Sequence, residues 1–361
     1  MLHQLLSNIA RRWQPAKLAA TPAERRAIAR LRYQIYVEEQ GDAHPDADHD
    51  ARVLWSPVDD APGSLHYYAG PVDRPAGALR VRVWAPGCAP PDVCARYGLA
   101  RIPGAERVAG CENNFLMFRR SLRGTAAVAT MMSKAAHDVV HRFGCHLVFA
   151  TCSPGQLPIY QARGFRAYTW ALADNSFGLQ VPIVGATFDL DHLQRVGSHL
   201  YEPMRRLARV GRLPTDAPAE LSAFIDEEEA IVADADAVEA ALLAAGRTDG
   251  GGPLARLSEV ARRELAKRGL IIRAPASAVV RPEGAAVYET YVVLRGSVAL
   301  RRGPAVVATL GVGAAFGNLG AEGAPPSSPT AAVTAEEVSL LVLSRRALRR
   351  MRERSPEIAR E

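Results

Sequence analysis

The chain reads as an α+β protein: a mixed central sheet flanked by helices, followed by a β-barrel or jelly roll. Three observations predict this. Over residues 20–210 the apolar periodicity runs helix, hairpin, strand, helix, strand, helix, the order of a helix-covered sheet. The stretch "GRTDGGGP" at 246–253 is a flexible break. Beyond it, short apolar runs alternate with turn residues at regular spacing, as the strands of a small barrel do. The expected organisation is a first domain over residues 1–213, an acidic helical linker over 214–252 and a second domain over 253–361.

Each element has its own signal. In "MLHQLLSNIARRWQPAK", Leu2, Leu5, Leu6, Ile9 and Trp13 share one helical face beside Arg11 and Arg12. The pattern suits a helix packed on the domain, or an anchor lying in a membrane interface. The segment is too short and too charged for a secretory h-region. With no run of ~18 uncharged apolar residues, no membrane span is predicted and membrane contact is peripheral at most. A second helix begins in "TPAERRAIARLRYQIYVEEQG": Thr21 can cap, Pro22 suits the first turn, and Glu24 lies three after Thr21. Ala27, Ile28, Leu31, Ile35 and Tyr36 form its apolar face and Gly41 ends it. An acidic loop with Asp46, Asp48 and Asp50 follows. "HYYAGPV" and "ALRVRVWA" read as a hairpin, with Arg80 and Arg82 on one face and Leu79, Val81 and Val83 on the other. "CENNFLMF" is a strand, "RRSLRGTA" a turn and "AVATMMSKAAHDVVHRFG" a helix ending at Gly144. "CHLVFATC" is a further strand, and "GQLPIYQARGF" a short helix with Gly164 just past its end.

The 361-residue chain carries a formal net charge of +6, unevenly spread. Residues 214–246 hold nine acidic side chains and no Lys or Arg, so the remainder is more basic than the total. Leu221, Phe224, Ile225, Ile231, Val232, Val238 and Leu242 give that acidic stretch the period of one helix or two. A basic remainder favours phosphates, CoA-like ligands, anionic lipids or nucleic acid, without choosing between them. Cys88, Cys94, Cys111, Cys145 and Cys152 form no CxxC pair and are odd in number. That argues against a disulfide framework and fits a reduced, cytoplasmic setting.

The turn at 119–126 carries the first chemical signal. A strand that runs through Arg-Gly into a helix leaves free N–H groups at the helix start, where the dipole favours a phosphate. Gly124 permits close backbone approach, and Arg119, Arg120 and Arg123 add positive charge. An ordinary joint between strand and helix would carry the same glycine.

The neighbours of this turn add to it. The loop reads Ser121-Leu122-Arg123-Gly124-Thr125-Ala126, and "IYQARGF" places Tyr160 before Gly164 and Phe165. In this, residues 112–168 resemble the core of the GNAT acyltransferase superfamily, whose acyl-carrier loop follows Gln/Arg-x-x-Gly-x-Gly/Ala. Gly124 and Ala126 match that pattern; Ser121 departs from its first position. "RLRYQIYVEEQG", "GALRVR" and "VPIVGATFDLDHL" resemble the fatty N-acyltransferase branch, which includes long-chain N-acyl amino acid synthases and is related to acyl-homoserine-lactone synthases. The resemblance covers most of residues 20–210. It implies a GNAT-type sheet and transfer of an acyl group from a thioester to an amine. It assigns the donor to Phe118, Arg119, Arg120, Arg123, Gly124, Thr125 and Ala126, and the substrate side to Arg80, Asn113 and Asn114. Glu112 is then the expected base and Tyr160 the acid for the leaving thiolate. A strand-end carboxylate paired with an arginine and a half-buried packing tyrosine are the plainer readings of the two. Backbone N–H groups over 113–118 would hold the oxyanion. In the related branch, acidic residues after the entry helix organise the acceptor pocket; here these are Asp46, Asp48 and Asp50, which also suit a solvated loop.

Two other patterns carry less. His137 and His141 stand four apart, but lack both the Glu of a metalloprotease motif and an evident third ligand, so no metal is expected. Cys111 and Cys152 read as small buried hydrophobes. Residues 254–361 resemble a cyclic-nucleotide-binding domain of the cAMP-receptor type, through "YVVLRGSVAL", "LGVGAAFGNLG" and "TAAVTAEEVSLLVLS", with Gly296, Gly313 and Gly317 at its turns. Its binding cassette departs from the family: Asn318 stands where a ribose-binding Glu is placed, and Pro329 where an Arg meets the cyclic phosphate. A buried phosphate without its cation is costly, and proline has no N–H to offer. No ordinary cAMP or cGMP binding is expected; docking, homodimerisation or another ligand is. The basic tail "SRRALRRMRERS" is followed by no helix-turn-helix, so no DNA is expected, and it suits a solvated helix or a contact to the acidic segment.

The function expected is an N-acyltransferase moving a fatty acyl group to an amine of an amino acid, a small amine or a peptide side chain. The donor would be acyl-CoA or the acyl-phosphopantetheine of an acyl carrier protein, whose acidic helices suit the arginine loop. Two rivals remain open: a catalytically silent regulator that binds acyl thioesters, and a homoserine-lactone-type signal synthase.

Overall fold

The computed structural model describes residues 16–41, 44–169, 173–175, 178–226, 235–248, 258–317 and 327–354. The expected N-terminal helix, Asn318 and the glycines at 250–252 lie outside these residues.

The first part is built on an eight-stranded sheet. A short β1 (Lys17–Leu18) leads into α1 (Pro22–Arg32), which Thr21 and Glu24 cap reciprocally. The helix does not run unchanged to Gly41: over Tyr33–Glu39 it widens to a π-helix. Such insertions are frequent at functional sites. The small hairpin β2 (Ala47–Asp48) and β3 (Val53–Leu54) precedes β4 (Ser64–Ala69) and β5 (Gly77–Trp84). Then follow α2 (Pro91–Tyr97), β6 (Gly110–Phe118), α3 (Ala126–Phe143), β7 (Leu147–Cys152), α4 (Leu157–Gln161), β8 (Phe165–Ala167), β9 (Ala173–Asn175) and β10 (Gly178–Ala186). The sheet order is β1-β4-β5-β6-β7-β10-β8, with β9 beside β10. Every pairing is antiparallel except β6 with β7, which makes the sheet mixed.

Both sheet faces are covered. On one, Leu79, Val81, Cys111 and Val148 meet Met131, Ala135 and Val139 of α3. On the other, Ile28, Leu31 and Ile35 pack on Tyr68, Ala78 and Met117, while Trp84, Val93 and Phe149 form a neighbouring cluster. The chain continues through α5 (Leu190–Arg195), α6 (Tyr201–Arg209), α7 (Ala219–Asp226) and α8 (Ala235–Thr248).

The second part opens with α9 (Glu259–Ala266) and β11 (Leu270–Ala274), β12 (Val279–Arg281), β13 (Glu289–Arg295), β14 (Val298–Arg302) and β15 (Ala305–Leu310). It closes with β16 (Ala315–Gly317), β17 (Ala331–Thr334), β18 (Val338–Ser344) and α10 (Arg345–Arg354). Its strands form two four-stranded antiparallel sheets, β11-β18-β13-β16 and β12-β17-β14-β15, a jelly-roll arrangement. Gly296, Gly313 and Gly317 all have positive φ, and Pro329 stands on an exposed turn.

The segment read as a linker is divided between the two parts. Leu221 and Ile225 of α7 are buried with Trp84 and Phe149, whereas Val238, Leu242 and Ala245 of α8 are buried with Val292, Leu341 and Leu343. Met351 of the basic tail joins the α8 cluster, so that helix meets the acidic segment through its apolar face. Among the described residues, no helix is long and apolar enough to cross a membrane. The Leu221 side chain is fully enclosed, so Leu221→Ala should destabilise the protein by about 2–5 kcal/mol in denaturant unfolding. An unchanged midpoint would show that α7 is not docked.

Candidate active site

The site begins where two strands part. β6 and β7 pair only at Gly110, Cys111 and Glu112, opposite Leu147, Val148 and Phe149. Beyond Glu112 the β7-facing edge of β6 has no strand partner, so its N–H and C=O groups face a wedge between the strands. On its other edge β6 carries a bulge. Ala78 pairs with Met117 and Arg80 with Asn114, so one extra β6 residue is looped out, and Phe115 takes φ 51°. The extra residue reverses the alternation: Cys111 and Phe118, seven positions apart, both join the α3-side core.

The bulge is held by a buried polar cluster. The Arg32 guanidinium lies 4.5 Å and that of Arg80 4.9 Å from the Phe115 ring centre. Both arginines donate to Asp59 Oδ1, Arg32 Nη1 at 2.7 Å and Arg80 Nη1 at 3.2 Å. Asp59 Oδ2 accepts from the Ser56 N–H at 2.8 Å. Burial alone would raise the Asp59 carboxyl, but Arg32 and Arg80 hold it below the usual carboxylate range.

A cavity of about 310 Å³ fills the wedge. Leu116, Met117 and Phe118 of β6 form one wall, Ile159 and Tyr160 of α4 another, and Gly124, Val128 and Met132 at the start of α3 a third. Gly124 has φ 75°, and a Cβ added there would meet nothing within 4 Å, so the backbone is open to an approaching ligand. Thr125 caps α3 by accepting from the Ala127 N–H at 3.3 Å, and Ala126 is the first residue of that helix. Tyr160 rests edge-on against Phe165 at 5.7 Å. Burial pushes its phenol up to about 12, so it is a neutral O–H donor throughout the physiological range.

The arginine loop is only partly free. Arg123 Nη1 and Nη2 donate to Glu39 at 2.6 and 2.9 Å, and Arg120 Nε stands 3.5 Å from the same carboxylate. Arg119 Nε donates to the Pro75 carbonyl at 2.8 Å. Three cations against one carboxylate leave the loop positive. A second, apolar cavity of about 30 Å³ lies deeper, among Val139, Val148 and Asn113, and shares Met132 and Arg163 with the first.

The structure thus brings Phe118, Arg123, Gly124 and Tyr160 to one space, with Arg120 beside it. Other expected residues stand elsewhere. Glu112 lines neither cavity: it is fully buried, and its Oε2 accepts from Arg96 Nη1 at 2.8 Å. Arg80 belongs to the Asp59 cluster. Asn113 lines the deeper cavity, and the buried amide nitrogen of Asn114 has no hydrogen-bond partner. Asp48 accepts from the Ala51 N–H within a surface turn, and Asp46 lies 3.8 Å from His44. His137 and His141 stack at 5.7 Å on α3, and among the described residues no group of His, Cys, Asp and Glu is arranged to hold a metal. Cys111 and Cys152 are buried, and both thiols are pushed up. The sequence places Ile35 and Tyr36 on the apolar face of the helix without marking them as site residues and does not single out Gln40, which follows the π-helix, or Tyr288; all four line the cavity. The paired glutamates at the end of the entry helix were the one visible hint of Glu39.

No family model matches the sequence, and no curated protein matches it. Among solved structures, the chain is similar to FeeM, an N-acyl amino acid synthase from uncultured soil microbes, at 16% identity and a TM-score of 0.39 over 52% of this chain and 96% of that one. It is also similar to a cyclic nucleotide-binding domain from Methylobacillus flagellatus, at 22% identity and a TM-score of 0.29 over 35% of this chain and 71% of that one. A third likeness is to the N-terminal domain of a Streptomyces coelicolor transcriptional regulator, at 25% identity and a TM-score of 0.27 over 29% of this chain and 77% of that one.

Two histidines set a pH response. Burial lowers His66 from 6.5 to about 4, with Arg32 adding and the Asp59 carbonyl opposing. Burial and Arg163 lower His199 from 6.5 to about 4. Between these values the unfolded chain binds more protons than the folded one, so stability falls as pH drops through that window and is insensitive to these rings above it. Thermal midpoints should decline from about pH 6.5 to about pH 4.5, less steeply in His66→Gln. A flat profile would contradict neutral burial of the two rings.

Proposed function

We propose that the protein is an N-acyltransferase that moves a fatty acyl group from a CoA or acyl-carrier-protein thioester to the amine of an amino acid, a small amine or a peptide side chain. The observation that carries this reading is the shared cavity: Gly124, at the helix start, and Tyr160 line one space beside the edge of β6 that no strand pairs.

The chemistry follows from that placement. The amide-bearing pantetheine arm of the donor pairs with the free edge of β6, as an added strand would. Its phosphate end meets the α3 start and Arg120 and Arg123, where Glu39 gives way to the stronger anion. The acyl chain lies along the apolar wall of the wedge formed by Leu116, Val128 and Met132. A neutral amine attacks the thioester carbonyl; the N–C bond forms, the C–S bond breaks, and the amine's surplus proton leaves through water. N–H groups of β6 stabilise the oxyanion. Tyr160 hands its proton to the departing thiolate and regains one from solvent. Glu112 takes no direct part in this reading, because Arg96 holds its carboxylate away from the cavity; it fixes the point where the strands part. No cyclic nucleotide and no metal enters the reaction.

Incubation of the full chain with acyl-CoA, acylated carrier protein and amine pools should give an N-acyl product by mass spectrometry. Tyr160→Phe should lower kcat by about 10²-fold with KM within about threefold. Donor binding without product from any amine would favour a silent regulator, and a lactone product a signal synthase. An active Tyr160→Phe with unchanged kcat would remove the phenol from the mechanism.

A further inference from the structure

The donor cavity is not made by the first domain alone. Tyr288, from the loop before β13, is part of its wall. Tyr288 is 40% exposed and lines the cavity together with Arg123 of the arginine loop. Several contacts fix it there. The Tyr288 carbonyl accepts from the Arg345 N–H at 2.8 Å, where α10 begins. The next residue, Glu289, is buried at the seam between the domains and accepts from the Ser153 hydroxyl at 2.6 Å, one turn before α4 and Tyr160. Gly155 makes room for it: a Cβ there would lie 2.8 Å from Glu289 Cγ. Upstream, a Cβ on Gly41 would lie 3.1 Å from the Gly284 carbonyl oxygen, so the same loop abuts the end of the π-helix. The apolar core is continuous across the seam, joining Cys152, Leu157 and Val181 to Ile272 and Val280. The phenol lies in the field of Arg123, Arg120 and Glu39, the charges at the donor's phosphate end.

Building on the acyl-transfer reading, we propose that Tyr288 is a donor-binding residue: the second domain supplies the ring that closes the cavity beside Arg123 and Glu39 and seats the phosphate end of the thioester arm. The two domains are then one donor-binding unit, and a barrel with an altered nucleotide cassette has a structural reason to be attached. The phenol hydroxyl is placed to donate to a phosphate oxygen that has displaced Glu39 from Arg123.

The test uses the full chain with Tyr288→Ala and Tyr288→Phe, assayed with whichever thioester the wild type turns over and, for binding, by calorimetry with coenzyme A and with phosphate-free pantetheine. Tyr288→Ala should raise the donor KM about tenfold with kcat and the acceptor KM within about threefold, a split that a structural defect would not produce. Tyr288→Phe should weaken coenzyme A by about threefold and leave pantetheine unchanged, because only the hydroxyl is lost. Wild-type donor KM in both variants, with the wild type active, overturns this assignment alone. A wild type that neither binds nor turns over any thioester overturns the acyl-transfer reading and this assignment with it. Should Tyr288→Ala not fold, the phenylalanine variant decides.

Discussion

The structure depends on one clamped residue. Phe115 sits at positive φ in the middle of the central sheet, in a conformation that costs of order 1–3 kcal/mol for a bulky side chain. It persists because two buried guanidinium groups press on its ring, and those cations are tolerated because Asp59 accepts from both. Remove the bulge and the alternation of β6 reverts, turning Leu116 and Phe118 away from the wedge that they now wall. A cluster of buried charge therefore sets which β6 side chains line the wedge.

The same logic explains why β6 and β7 separate. Three parallel pairs are all the two strands share, and the pairing stops where Glu112 is held by Arg96. Past that point the sheet has an internal edge, which would be a liability on the surface but here is covered by α3, α4 and the π-helix. That edge has no strand partner; the Phe118 carbonyl accepts from Arg123 Nε instead, and an amide-containing thioester arm can pair with the rest. The single carboxylate of Glu39 neutralises part of the arginine loop without cancelling it, which keeps the loop ordered while leaving charge to attract a phosphate.

Much of this was legible in the sequence, and the remainder fails to be for physical reasons. Thr21 and Glu24 announce a capped helix, Gly124 and Gly164 mark turns that need positive φ, and the resemblance to the acyltransferase superfamily points to Tyr160 ahead of Gly164. These signals are local. The side of the sheet that Glu112 faces is not local: strand alternation reads it only if the register is known, and a bulge three residues on scrambles the reading. The π-helix was equally hidden, because Ile35 and Tyr36 fit an ordinary helical face as well as a widened one. Tyr288 lies more than a hundred residues from Tyr160 and reaches the cavity only through the packing of one domain on another. The acidic stretch at 214–246 reads as a linker by charge, yet Leu221 and Ile225 belong to one core and Val238 and Leu242 to another.

The acyl-transfer proposal stands or falls on whether the wedge between β6 and β7 receives a pantetheine arm with its thioester sulfur at Tyr160. A crystal structure of the full chain with a non-hydrolysable acyl-pantetheine tests it most directly. The expected result is an arm laid along residues 116–118, with its thioester sulfur within hydrogen-bond reach of the Tyr160 hydroxyl, its carbonyl oxygen towards the β6 N–H groups and its acyl chain along Val128 and Met132. A ligand bound outside the wedge, or a wedge closed by side chains in its presence, would contradict it.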